Sequence, residues 1–329
     1  MFNNFKKVKQ KYLSKTIKSK YIKFIAIAIF ISLSLFAKSL LVIVRNNPDA
    51  VEINVNQFFR LVDISKIIFF CELLGCKKII LDKRANWFIK NKIHYSQYNM
   101  SIETGYRFNY ENKHTLIDLS TNWLYYFSYI KPELRIDVIK QEILNNIPNF
   151  VTNPKDLYIH IRSGDIFEEG MKYGKSFYSQ PPLCFYKMII SSFKFKSIYI
   201  IAINDNNPVI NKLIQDIPSI NYKQSNIKID IAYLVNAHNI VASFSTFLFS
   251  IIRLNDKLKY IWEYNLSSTK SKIIHGYHSY FKPFKNITYY IMEPSENYKA
   301  IMNIWNGSKS QLEIMINEKC NNTFLISKN

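Results

Sequence analysis

From residue 157 onward, short β-branched and aromatic runs alternate with helical patterns. Nothing else in the chain constrains the fold as strongly. Leu157–Arg162, Ser197–Ile203 and Asn239–Ser243 read as buried strands. Leu183–Phe193, a segment opened by Pro208, Ile229–Ala237 and a run ending near Leu254 read as helices. Pro208 suits a first helical turn, where its missing N–H is not needed. Strands that alternate with helices form parallel sheets covered on both faces. The first half carries the same pattern more faintly. Asn56–Leu74 reads as a helix stopped by Gly75, Lys77–Asp82 as a strand, 83–130 as irregular, and Leu134–Asn146 as a helix. Pro148 and Pro154 bracket a linker. The expected fold class is α/β, with two Rossmann-like blocks split near residue 150, their parallel sheets facing across a cleft.

Polar residues cluster where these strands end. His160, Arg162 and Asp165 follow the first, Asn204 and Asp205 the second, and Ser243, Ser245 and Thr246 the third; Asp230 heads the helix before the third. In a doubly wound sheet such ends share one edge, where ligands bind. The planar fork of Arg162 suits bidentate contact with phosphate. Ser245 and Thr246 open a helix, where N–H groups and hydroxyls attract anions. Asp230 can accept hydrogen bonds from a base or sugar. No P-loop and no GxGxxG occurs, which disfavours an ordinary NTPase or dinucleotide enzyme. Asp165, Glu168 and Glu169 are the acids nearest the motif, so they are the candidates for a general base. Asp165 also suits a turn anchor. His238, the Gln180-Pro181-Pro182-Leu183 segment and the four tryptophans (Trp87, Trp123, Trp262, Trp305) read first as packing or helix-start residues.

The net charge of +20 divides unevenly. The first 23 residues hold eight lysines and no acid. The remaining +12 is spread without a dense basic block, and no stacking platform or groove-reading motif points to nucleic acid. After the lysines, 21–44 is apolar enough for a retained signal anchor of about 20 residues, with Lys23 and Lys38 reaching the interfaces. The lysine-rich side stays cytosolic. The expected protein is therefore single-pass and type II, with its main part in the lumen of the Golgi or ER, or otherwise extracytoplasmic. The expected divisions are a basic tail over 1–20, the anchor over 21–44, domains over 45–150 and 151–275, and an extension over 276–329 packing back on them. Five N-x-S/T sequons, at Asn99, Asn265, Asn286, Asn306 and Asn321, are about as many as composition gives by chance. The four cysteines, Cys71, Cys76, Cys184 and Cys320, show no zinc spacing. A Cys184–Cys320 disulfide is compatible with an oxidising compartment, but sequence cannot pair them.

His160-Ile-Arg162-Ser-Gly-Asp165 matches an H-x-R-x-x-D pattern. Asn204-Asp205-Asn206 looks like a T/S-D-D strand end. Asp230, Leu234, Ala237, Val241, Ser243 and Ser245-Thr246 match a third pattern in order. On these residues the chain resembles the GDP-fucose-dependent fucosyltransferase superfamily, over about residues 52–255. The resemblance implies a GT-B fold and inverting, metal-independent transfer of a sugar, with fucose the expected one. The donor is a GDP-sugar, the acceptor a glycan or glycoprotein, and no metal or other cofactor is needed. It implies that Arg162 holds the donor β-phosphate, with Asp165 beside it. His160, Asp205 and Asp230 help seat the nucleotide, and Ser243, Ser245 and Thr246 complete the phosphate site. Three departures stand out: Asn54-Val-Asn56-Gln57 lacks the glycines of the family's first turn, Ser163 replaces a second arginine, and Asn206 replaces an acid. These departures leave an alternative: an inactive, membrane-anchored protein of the same fold that binds carbohydrate or nucleotide-sugar.

Overall fold

A computed structural model describes residues 51–53, 78–82, 93–95, 100–105, 137–167, 179–266, 286–320 and 323–328. Two sheets organise them. The smaller contains β1 (Val51–Ile53), β2 (Lys78–Asp82), β3 (Ile93–Tyr95) and β4 (Met100–Gly105), in the order β1-β2-β4-β3. β1, β2 and β4 are parallel, and β3 is antiparallel to β4. The strand expected over Lys77–Asp82 is thus present as β2. Two further strands lie within 83–130, a stretch that read as irregular. Their short period-two alternation is masked by the surrounding Asn and Tyr.

The larger sheet holds β5 (Leu157–His160), β6 (Ile198–Ile201), β7 (Ile220–Tyr222), β8 (Asn239–Ala242), β9 (Tyr260–Tyr264), β10 (Thr288–Met292) and β11 (Leu325–Lys328). Their order is β7-β6-β5-β8-β9-β10-β11. All are parallel except β11, which runs antiparallel to β10. Counted from β5, the first six lie in the 3-2-1-4-5-6 order of a doubly wound nucleotide-binding sheet. The order reverses between β5 and β8. Connections leave those two strands in opposite directions, the place where sheets of this order open a crevice at the C-terminal edge.

The helices are α1 (Asp137–Asn145), α2 (Leu183–Ser192), α3 (Pro208–Asp216), α4 (Ile227–Asn236), α5 (Thr246–Ile252), α6 (Glu296–Met302) and α7 (Lys309–Asn317). α2 packs on α3, and α7 packs on both; α4 packs on α5. Right-handed crossovers put the pair following β5 and β6 on one face and the pair following β7 and β8 on the other. β5 is therefore buried on both sides, which is why it reads as a continuous apolar run. Leu157, Ile159 and then Ile161 enter one core with Phe185, Ile189, Ile210 and Leu213. On the opposite face Tyr158 stacks on Tyr199 of β6 at 5.1 Å and on Tyr233 of α4 at 5.7 Å.

The chain after 276, expected as an extension over finished domains, supplies β10 and β11 to the sheet itself. Trp262 of β9 and Tyr290 of β10 stack at 5.2 Å, and Tyr298, Met302 and Trp305 are fully buried. Cys184 of α2 and Cys320, just past α7, form a disulfide. The expected anchor at 21–44, the helix Asn56–Leu74, Cys71, Cys76, Trp87 and Trp123 lie outside the described residues. Among the described residues no helix is long and apolar enough to cross a membrane.

Candidate functional site

The end of β5 lies at the point of order reversal. Ile161 N–H still reaches Ile201 O of β6 at 3.0 Å. β5 itself ends at His160, two residues short of the expected strand end, and Arg162 N–H turns to Ser243 Oγ, just past β8, at 3.0 Å. The same hydroxyl lies 2.7 Å from His160 Nδ1. Ser243 and His160 are both buried. One serine therefore joins the first and third polar clusters across the crevice. The His160 ring also meets Phe247 of α5 at 5.8 Å. Burial, and then the charge of nearby Arg162, hold the imidazole down to about 3. His160 is neutral at physiological pH and serves as a hydrogen-bonding group, not a cation.

The Arg162 side chain is only 18% exposed, whereas that of Asp165 is 53% exposed. One guanidinium nitrogen lies 3.3 and 3.4 Å from the two Asp165 oxygens. A pair this long with a half-exposed carboxylate is weak. An anion offering two oxygens to the guanidinium fork competes well against it. Asp165 also opens a short 3-10 turn, Asp165–Phe167, closed by Phe167 N–H to Gly164 O at 2.8 Å. Gly164 sits at φ +77°, and a Cβ there would come within 3.1 Å of Ile203 Cγ2. Positive φ and close approach both call for glycine.

The second cluster does something different from what its spacing suggests. Asn204 Oδ1 accepts from Ser163 Oγ at 2.7 Å, tying the β5 loop to the β6 loop. Asp205 is exposed. Asp230, in the first turn of α4, is buried and accepts from Ser225 Oγ. Burial pushes its carboxyl up to about 6, against the pull of that bond. Asp205 and Asp230 gather around Tyr222 at the end of β7; burial first, then these two charges, raise the Tyr222 hydroxyl. Asp205 thus stands one strand from Arg162, after β6, and Asp230 two strands away, after β7. Ser245 is the buried N-cap of α5, with no side-chain cap bond, and Thr246 is its first residue.

Of the residues read as packing or helix-start groups, Gln180, Trp262 and Trp305 are buried. His238 lies at the opposite edge, before β8, where its carbonyl accepts from Lys259 N at 2.9 Å and Tyr260 N at 3.1 Å. Gln180 is buried, its amide donating to Phe244 O at 3.3 Å. Trp305 Nε1 donates to Ile166 O at 2.9 Å, so the C-terminal helices brace the Arg162 loop. Glu168 and Glu169 lie outside the described residues. No group of acids, histidines and cysteines suited to a metal occurs among the described residues.

Asn207 escaped the reading of the sequence, and Ser163 entered it only as a departure from the motif. Ser163 and Asn207 are buried and joined to each other, Asn207 N–H donating to Ser163 Oγ at 2.9 Å. The available signal was the pair Asn207-Pro208, an N-cap before an N1 proline, which marks a helix start and says nothing of Arg162. Compared with protein-family models, with curated proteins and with solved structures, the chain gives no match.

Proposed function

We propose that this chain is a membrane-anchored glycosyltransferase that moves a sugar, fucose first among the expected ones, from a GDP-sugar to a glycan or glycoprotein. In this reading the two sheets belong to a GT-B pair of domains and the reaction is inverting and metal-independent. One observation carries it: Arg162 and His160, at the reversal point of a 3-2-1-4-5-6 sheet, share the Ser243 hydroxyl across the crevice. That crevice is where nucleotides bind in sheets of this order.

The chemistry follows from the charge. The bond between the sugar's anomeric carbon and the β-phosphate oxygen breaks, and both its electrons leave with the diphosphate. The acceptor oxygen bonds to the opposite face of that carbon and gives its proton to a base. A guanidinium fixed beside the departing oxygens stabilises charge that develops only in the transition state. Asp165 is the nearest described acid, and its release from Arg162 by the incoming diphosphate would free it to act. Asp230, whose carboxyl burial pushes up to about 6, would take the nucleoside in this reading.

The test is turnover. Full-length protein incubated with GDP-fucose is expected to release GDP, and Arg162→Ala to lower that rate about 100-fold or more, the size seen when one transition-state donor is removed. Turnover that survives Arg162→Ala contradicts the phosphate assignment. GDP binding without turnover favours the second reading, a binding protein. One observation leans that way: Ser163, where relatives place a second arginine, is buried and engaged with Asn204 and Asn207.

A further inference from the structure

We propose that Asn207 is the positioning residue for Arg162; the inference rests on the reading of Arg162 as the phosphate-binding group. Asn207 is 1% exposed and uses all four of its hydrogen-bonding groups. Its N–H donates to Ser163 Oγ at 2.9 Å, and its carbonyl accepts from Ile210 N at 3.0 Å. Its Oδ1 accepts from Val209 N at 3.0 Å, capping α3. Its Nδ2 donates to Arg162 O at 3.0 Å.

The last bond is the informative one. Capping α3 needs only an acceptor, which serine or aspartate supplies equally well. The amide nitrogen is surplus to the cap, and it reaches back across the loop to the carbonyl of Arg162. Ser243 holds the N–H of the same residue from the other side at 3.0 Å. The Arg162 backbone is thus gripped from β8 through its N–H and from the head of α3 through its C=O. Ser163 ties the next residue to Asn204 and Asn207. With both ends of the residue held, the guanidinium starts from a fixed base and loses less freedom when it meets a ligand.

Two variants separate the grip from the cap. Asn207→Ser keeps a cap acceptor, carries no charge and is too short to reach Arg162 O. Asn207→Asp keeps the cap and replaces the donor by an acceptor. Full-length protein is titrated calorimetrically with GDP and with guanosine, which lacks phosphate. Asn207→Ser is expected to weaken GDP about tenfold, the loss of one well-placed hydrogen bond, and to leave guanosine affinity near wild type, while the unfolding midpoint falls because the Arg162 carbonyl loses its donor. Asn207→Asp is expected to weaken GDP at least as much. In an Arg162→Ala background, Asn207→Ser is expected to add nothing, because it acts through the arginine. Wild-type affinity for GDP in Asn207→Ser overturns the inference, as does an equal loss for guanosine or an undiminished loss without Arg162. A wild-type protein that binds neither GDP nor inorganic pyrophosphate overturns the reading of the site itself, and the positioning role falls with it.

Discussion

Ser243 Oγ meets both His160 of β5 and Arg162 just past it, and its removal should be felt by both. Ser243→Ala strips the acceptor from the part-buried Arg162 N–H and a hydrogen-bond partner from buried His160. Leaving such groups unpaired costs about 1–3 kcal/mol each, so a clear drop in the urea midpoint is expected. Two titrating residues act in opposite directions. His160 is held at about 3 while an unfolded histidine titrates near 6.5. Between those values only the unfolded chain takes up the proton, so His160 contributes stability above that window and loses it as pH falls through it. Asp230 is raised to about 6 from 3.8. There the folded state holds the proton longer, so stability is lost as pH rises from about 4 to about 6 and stays lost above. Asp230→Asn should therefore raise stability at pH 7 by up to about 3 kcal/mol, with little gain at pH 4, while weakening nucleotide binding. Denaturant unfolding at the two pH values checks this. His160, Arg162 and Ser243 were legible because each ends an apolar run, where a polar side chain stands out. Asn207 was not, because Asn is abundant in this chain and an N-cap signature is silent about tertiary reach.

At the scale of elements, β5, β6, β8, α2 and α3 were legible, since each is a long apolar or amphipathic run with a clear stop. The head of α3 shows how far local rules go: Asn207 caps it and Pro208 fills its first turn. β10, α6, α7 and β11 were not legible. Thr288–Met292 is only five residues, and nothing local says that it pairs with β9 rather than lying over it. Tertiary contacts decide that, through the Trp262–Tyr290 stack and the Trp305 bond to Ile166 O. Trp305→Phe keeps most of the buried volume and leaves that carbonyl without its indole donor. A loss of about 1–3 kcal/mol is expected, together with faster amide exchange at Phe167. The disulfide joins positions 136 apart. Cys184→Ala with Cys320→Ala should lower stability by about 2–5 kcal/mol, read as a shift in unfolding midpoint under non-reducing conditions. An unchanged midpoint would show that the C-terminal elements are held by packing alone.

At the scale of the molecule, the strand order explains why residues from 160 to 245 share one edge. Crossovers that reverse direction between β5 and β8 bring together loops far apart in sequence. The alternation of strands and helices announced a parallel sheet, but the number of strands and the place of reversal emerge only from pairing. Charge is distributed unevenly as well: seven lysines precede the apolar stretch at 21–44, which suits the proposed membrane tether. The central claim is that a nucleoside diphosphate sits at the reversal point with its phosphates on Arg162. A crystal structure of the protein with GDP tests it most directly. The expected result is a diphosphate within hydrogen-bond distance of the Arg162 guanidinium, in the crevice between the β5 and β8 loops, with the Asp165 pair opened. A diphosphate seated elsewhere, with Arg162 still on Asp165, contradicts it.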